Sequence, residues 1–169
     1  MNVSINENQI RNVFGDKCIV IPYKKLYQIT SLDSQLSRTP YIFILYEYEP
    51  NYGHWTLLFK QGSKRVEFFD SYGTLPDSIQ KKFPKKLRNE YGYQHKEVVD
   101  LMLNSKLNKE YNNYKLQSKN RSVKTCGRWC ILRALASDVY IDDFAKMFLF
   151  KRLSPDQLVV KATKSILGI

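Results

Sequence analysis

Histidine is nearly absent from this sequence of 169 residues, which has only His54 and His95. Cysteine is scarce as well: Cys18, Cys126 and Cys130 cannot all pair, and no Cys-x-x-Cys spacing occurs. Ligands so few and so placed argue against a structural zinc site and favour a single reactive thiol. No apolar run approaches the length that spans a bilayer. The stretch Met1 to Glu7 lacks the basic and apolar regions of a signal peptide, so an intracellular protein in a reducing compartment is expected. Repeats, low-complexity tracts and linkers are missing too. The expectation is therefore one domain over residues 1–169, long enough to bury a sizeable core.

Hydrophobic residues make up 43% of the chain and aromatics 14%, with 12 Tyr, a composition that folds. Acid is missing where base accumulates. Residues 1–80 hold eight Lys/Arg against eight Asp/Glu, and the whole net charge of +11 falls in residues 81–169. Between Tyr111 and Ser137 there is no acid, but there are Lys115, Lys119, Arg121, Lys124, Arg128 and Arg133. A second basic run is Lys81, Lys82, Lys85, Lys86 and Arg88. Two readings stand side by side: a polyanionic partner such as nucleic acid, or a solvated basic face with no base-reading motif.

Ser4 with Glu7 three residues on, and Gly15 as a stop, predicts a capped helix over Ser4–Phe14. Cys18–Ile21 reads as a short buried strand, residues 23–38 as partly helical, and Tyr41–Tyr48 as a central strand. After a turn at Pro50–Gly53, the segments His54–Lys60 and Arg65–Asp70 form a hairpin around Gln61–Lys64. Asp70–Gly73 is a turn, and a basic helix from Pro76 to Tyr91 is interrupted at Pro84. Glu97–Leu103 suits strand or helix, and Tyr114–Gln117 a short strand. Helices follow at Cys126–Tyr140, Asp142–Phe150 and from Ser154-Pro155 to Ile166. The fold class expected is α+β, a central, mainly antiparallel sheet flanked by helices.

The stretch Thr125-Cys126-Gly127-Arg128-Trp129-Cys130 places a cysteine where a basic loop becomes an apolar helix. A thiol there meets the positive end of the helix dipole and backbone N–H groups, which favour the thiolate and can hold an oxyanion. Taken alone, Cys126 is also simply a small residue at the foot of a core helix. A cysteine nucleophile needs a base and a group to orient it. His54 begins the first hairpin strand and Asp70 ends its partner, so the hairpin brings them to one edge of the sheet, which favours Asp70 over Asp77 or Glu67. Taken singly, His54 suits a structural histidine and Asp70 a turn residue. Gln117 is a candidate amide donor to an oxyanion, with Asn112 and Asn113 as substitutes. Cys130, one turn after Cys126, reads as core packing or as a redox partner, and Cys18 as core.

Gly53-His54-Trp55, Phe69-Asp70-Ser71-Tyr72-Gly73, Gln117 and Cys126-Gly127 occur in that order. In this the chain resembles adenain, the adenovirus maturation protease, and the wider SUMO-protease-like clan of cysteine proteases, over about residues 41–137. The resemblance implies His54 as general base, Asp70 as its orienter, Cys126 as nucleophile and Gln117 in the oxyanion hole. It implies a cysteine endopeptidase that cleaves viral structural precursors after small residues, at Gly-X-Gly-like sites. It further implies no required cofactor, DNA as a candidate activator, capsid or core precursors as partners, no membrane, a monomer, and a place in the virion and the host cytoplasm or viral factory. Nine positions separate Gln117 from Cys126, more than this family leads one to expect, so the intervening segment must bulge. Three other functions fit the same residues. They are an isopeptidase acting on a ubiquitin-like modifier, an acetyl transferase, and a basic DNA-binding virion protein with a vestigial site.

Overall fold

The structure is a computed structural model, and it describes residues 3–169; of the stretch read above for a signal peptide, Met1 and Asn2 lie outside the described residues. Five strands form one sheet in the order β1 (Cys18–Pro22), β2 (Tyr41–Glu49), β3 (Tyr52–Gln61), β4 (Arg65–Phe69) and β5 (Asn108–Tyr111). The centre, β2-β3-β4, is antiparallel, and β1 and β5 add parallel strands at the two edges. The sheet is therefore mixed at its edges, within the α+β class expected.

Alternation along the strands divides the chain into three layers, because successive side chains face opposite ways. Phe43, Leu45, Trp55, Leu57, Phe59 and Phe69 face one core, shared with α1 (Glu7–Phe14), α5 (Cys126–Leu135), α6 (Ile141–Lys146) and α7 (Pro155–Leu167). Ile42, Ile44, Tyr46, Leu58, Val66 and Phe68 face the other. That second layer holds the 3-10 segment Tyr23–Gln28, α2 (Leu32–Arg38), the 3-10 segment Ser78–Lys82, α3 (Lys85–Glu90) and α4 (Glu97–Leu103). Full burial of one large apolar side chain contributes about 1.5–3 kcal/mol, so two such cores hold the sheet from both sides.

Several expectations shift in detail. The cap of α1 is Asn6, not Ser4: the Asn6 side chain accepts from Gln9 N and the Gln9 side chain accepts from Asn6 N. Tyr52 and Gly53 belong to β3 rather than to the preceding turn. A Cβ on Gly53 would lie 1.9 Å from the Tyr46 carbonyl oxygen, so only glycine fits there. Tyr114–Gln117 is not a strand. Leu116 N and Gln117 N both donate to one acceptor, Ser71 O, at 3.0 and 2.9 Å, which pins a loop against the Asp70 turn. Helix α5 ends at Leu135, earlier than expected. Arg133 donates to Ala136 O and Val139 O at 2.6 and 2.8 Å and satisfies carbonyls beyond its end.

Candidate functional site

The hairpin delivers His54 and Asp70 to the same face of the sheet. Strand pairing ends where Leu57 meets Phe69, and Asp70 begins the turn that follows, closed by Gly73 N donating to Asp70 O at 2.9 Å. From there Asp70 reaches His54, and the two bond at 2.9 Å between Nε2 and Oδ1. Tyr72 lies across from the imidazole and stacks on it, centroids 4.7 Å apart and planes 16° from parallel. Both His54 and Asp70 are buried.

The Asp70 carboxylate is held from every side. It accepts from Tyr72 N at 2.9 Å and from the Thr74 hydroxyl. The buried Asn112 side chain donates to the Asp70 carbonyl at 2.7 Å. Asn112 thus fastens the turn and does not line the cleft at Cys126, so it is no substitute for Gln117. Asp77 and Glu67 have other partners. Asp77 accepts from Tyr46 and from Val99 N, and Glu67 forms a two-pronged buried ion pair with Arg133 at 2.9 and 2.8 Å.

Cys126 opens α5, whose residues from Cys126 to Ala134 are all buried. Close approach of the helix to β3 requires Gly127, where a Cβ would meet Ile5 Cβ at 2.7 Å and Trp55 Cδ1 at 3.1 Å. The Cys126 sulfur lies beside His54 and the backbone N–H groups of Trp55 and Gly127, all of which favour its thiolate. With Nε2 committed to Asp70, Nδ1 is the imidazole nitrogen left for sulfur.

Electrostatics follow from this geometry. Burial alone would push the Cys126 thiol up, but the His54 hydrogen bond and charge, with the two backbone donors, bring it below its ordinary value. Burial would push His54 down, but Asp70 beside it and the sulfur raise it to about 10. Burial would raise Asp70, and the His54 charge with the Thr74 and Tyr72 donors overcomes that and lowers it. Opposed charges favour one another's charged forms, so thiolate, imidazolium and carboxylate form one chain. Cys130, one turn on, differs: buried and bonded to Trp55 O at 3.5 Å, its thiol is pushed well up, as a core residue's is. Cys18 is likewise buried and free.

Gln117 lines the same cleft as His54 and Cys126. Its Oε1 accepts from Ser71 at 2.7 Å, and its Nε2 donates to Val123 O at 3.1 Å and to the Tyr72 hydroxyl at 3.3 Å. The loop between Gln117 and Cys126 carries a turn in which Val123 N donates to Asn120 O at 2.9 Å. That loop is fastened by Asp156, at the start of α7. Asp156 accepts from Ser118 N at 2.9 Å, Thr125 Oγ1 at 2.5 Å and the Trp129 indole at 3.2 Å. Sequence reasoning missed Asp156 as a positioning residue, because its only local signal is a place in a helix first turn. It missed Tyr72 although that residue lies in the Asp70–Gly73 turn beside the candidate acid.

His95 is exposed and lines a separate depression. Among the described residues no group of three or more His, Cys, Asp or Glu is placed to hold a metal ion, and no helix is long and apolar enough to cross a membrane. Of the basic run before and within α5, Arg128 and Arg133 are buried. Arg128 donates to Val3 O, Thr163 Oγ1 and Ile169 O, so neither faces a partner.

No protein-family model matches the chain. It is 33% identical to uncharacterized protein V9 of the Sputnik virophage over 168 residues, which cover 95% of this chain and 94% of that protein. The chain belongs to the V9 family. Among solved structures, the chain is similar to the selenomethionine crystal structure of an ASFV protease at a TM-score of 0.49 and 13% identity. That match covers 92% of this chain but only 65% of the ASFV protease. ChlaDub1 from Chlamydia trachomatis is similar at a TM-score of 0.41 and 16% identity, over 96% of this chain and 80% of that one. At such scores neither likeness bears on what this V9-family chain does.

Proposed function

We propose that this chain is a cysteine peptidase in which Cys126 is the nucleophile, His54 its acid and base, and Asp70 the group that holds the imidazole. The observation that carries this reading is the buried His54–Asp70 pair, bonded at 2.9 Å, in the same cleft of about 780 Å³ as Cys126 at a helix start.

In the proposed reaction the Cys126 thiolate attacks a peptide carbonyl carbon and the carbonyl oxygen takes the negative charge. The backbone N–H at the start of α5 and the Gln117 amide are the proposed donors to it, the oxyanion replacing the longer Gln117 contact, that to Tyr72. The oxyanion collapses, the C–N bond breaks, and the His54 imidazolium gives its proton to the leaving amine. Water then attacks the thioester while His54 takes its proton, the C–S bond breaks, and thiolate and imidazolium are restored.

Substrates in this reading are viral structural precursors cut after small residues, by a single-domain monomer acting in the virion and in the host cytoplasm or viral factory. The virophage relative and the motif resemblance to the adenain and SUMO-protease-like enzymes support it. Lys81, Lys85 and Lys86 are exposed, which favours DNA as an activator. The test is cleavage of capsid precursors and a Gly-containing peptide pool by the parent and by Cys126→Ala, each with and without DNA. Cuts after small residues that vanish in the variant are expected. Cutting confined to a folded ubiquitin-like modifier would select the isopeptidase reading.

A further inference from the structure

The cleft that Cys126 lines carries four Lys and Arg side chains, Lys82, Lys119, Arg121 and Lys124, and no acid. None of the four forms an ion pair among the described residues. Asp70, bonded to His54, and Asp156, bonded to the loop before Cys126, are buried and committed to the bonds described above. The cations stand on two walls. Lys119, Arg121 and Lys124 belong to the loop that runs into Cys126, and Lys82 ends the 3-10 segment Ser78–Lys82 on the sheet's other side. Aromatic faces hold two of them over the site, Lys124 4.7 Å from the Tyr52 ring centroid and Lys82 5.5 Å from that of Tyr72. Tyr52 precedes His54 by two residues on one face of β3, and Lys124 precedes Cys126 by two, so the Lys124–Tyr52 contact lies beside the reacting pair.

We propose that the cleft reads acidic side chains flanking the scissile bond, so that the substrate class is an acidic polypeptide segment threaded between these two cationic walls. The proposal rests on the peptidase reading of Cys126. Unpaired cations in a partly enclosed cleft focus the field on an entering anion, and an extended chain presents side chains to both walls at each step.

The test digests a proteome-derived peptide pool with the full chain, reads the cut sites by mass spectrometry, and then follows matched peptides with Glu, Gln or Lys at the enriched position. Enrichment of Asp and Glu next to the cuts is expected, with kcat/KM for the Glu peptide about fivefold above the Gln peptide per acidic position. That advantage should shrink as salt rises to 1 M, where the screening length is about 3 Å. In K82Q/K119Q/R121Q/K124Q the Glu-to-Gln ratio should fall to about one. The single changes K82Q and K124Q should each lower it in part, which keeps the test intact if the fourfold variant does not fold. Cuts with no acidic preference would overturn the proposal and leave the peptidase reading standing. No cutting of any peptide by folded chain, with Cys126 alkylating as an ordinary thiol does, would overturn the peptidase reading and this one with it. Saturable binding of a DNA duplex lost in the same variants, with no acidic preference in the cuts, would overturn it and assign the cations to nucleic acid.

Discussion

Asp70→Asn isolates the charge that holds the site in its reactive form. The amide keeps the shape of the carboxylate and an oxygen for Tyr72 N, but it takes the negative charge away from a His54 nitrogen 2.9 Å distant. An opposite charge in contact shifts a buried group by roughly one to three pKa units, so His54 should fall from about 10 by that amount. This is about 1.4–4 kcal/mol withdrawn from the imidazolium. Cys126 must then rise, because the His54 hydrogen bond and charge are what bring its thiol down against burial. At neutral pH the thiolate population should drop about tenfold for each unit lost. The assay is the rate of alkylation by chloroacetamide between pH 5 and 10, read at Cys126 by peptide mass spectrometry. The parent should show a rate already high and nearly level at neutral pH, and Asp70→Asn a slower rate that climbs with pH. An identical climb in both, centred where an unperturbed thiol titrates, near 8.5, would refute the coupling.

Asp156→Ala should leave Ser118 N, Thr125 Oγ1 and the Trp129 indole without their acceptor; thermal denaturation should show a loss of roughly 2–4 kcal/mol, and peptide turnover should fall further than stability requires. Glu67→Ala leaves the Arg133 guanidinium buried and unpaired and should cost about 3–5 kcal/mol in urea unfolding, with the alkylation profile of Cys126 unmoved in the folded fraction. Gly127→Ala should lower thermal stability by about 1–3 kcal/mol, because its Cβ forces Ile5 and Trp55 apart. In Cys126→Ala the raised His54 has no thiol to offset its proton uptake. Asp70 still raises His54, though without the sulfur it stays below the parent's value of about 10. Its contribution to stability should therefore be fully present below about pH 6.5 and be lost as pH rises through that lowered value, visible as a melting temperature that falls above pH 6.5.

The hairpin was legible because β2, β3 and β4 are strands buried along most of both faces, whose β-branched and aromatic residues leave little choice. It carried His54 and Asp70 with it, and Cys126 was legible from the switch of a basic loop to an apolar helix. Strand β5 was not. Asn108-Lys109-Glu110-Tyr111 is a mostly exposed edge strand, so no buried face imposes an apolar alternation on it. Parallel pairing at both sheet edges follows from long connections rather than from any local signal. Arg128 and Arg133 read as surface base in a run without acids, whereas burial with Glu67 and backbone carbonyls gives them structural partners 66 positions away and at the chain ends. Asp156 lay beyond sequence reasoning for the same reason: its bonds to Thr125 and Trp129 span 31 and 27 positions.

Capture of an acyl group on Cys126 is the decisive measurement. A cleavable peptide is mixed with the chain, quenched in acid within the first turnover, and the intact mass is read before and after hydroxylamine. An adduct with the mass of the peptide's N-terminal fragment, mapped to Cys126, released by hydroxylamine and missing in Cys126→Ala, is the predicted result. Cleavage that persists in Cys126→Ala, or proceeds with no acyl group ever found on Cys126, would contradict the nucleophile assignment on which the site rests.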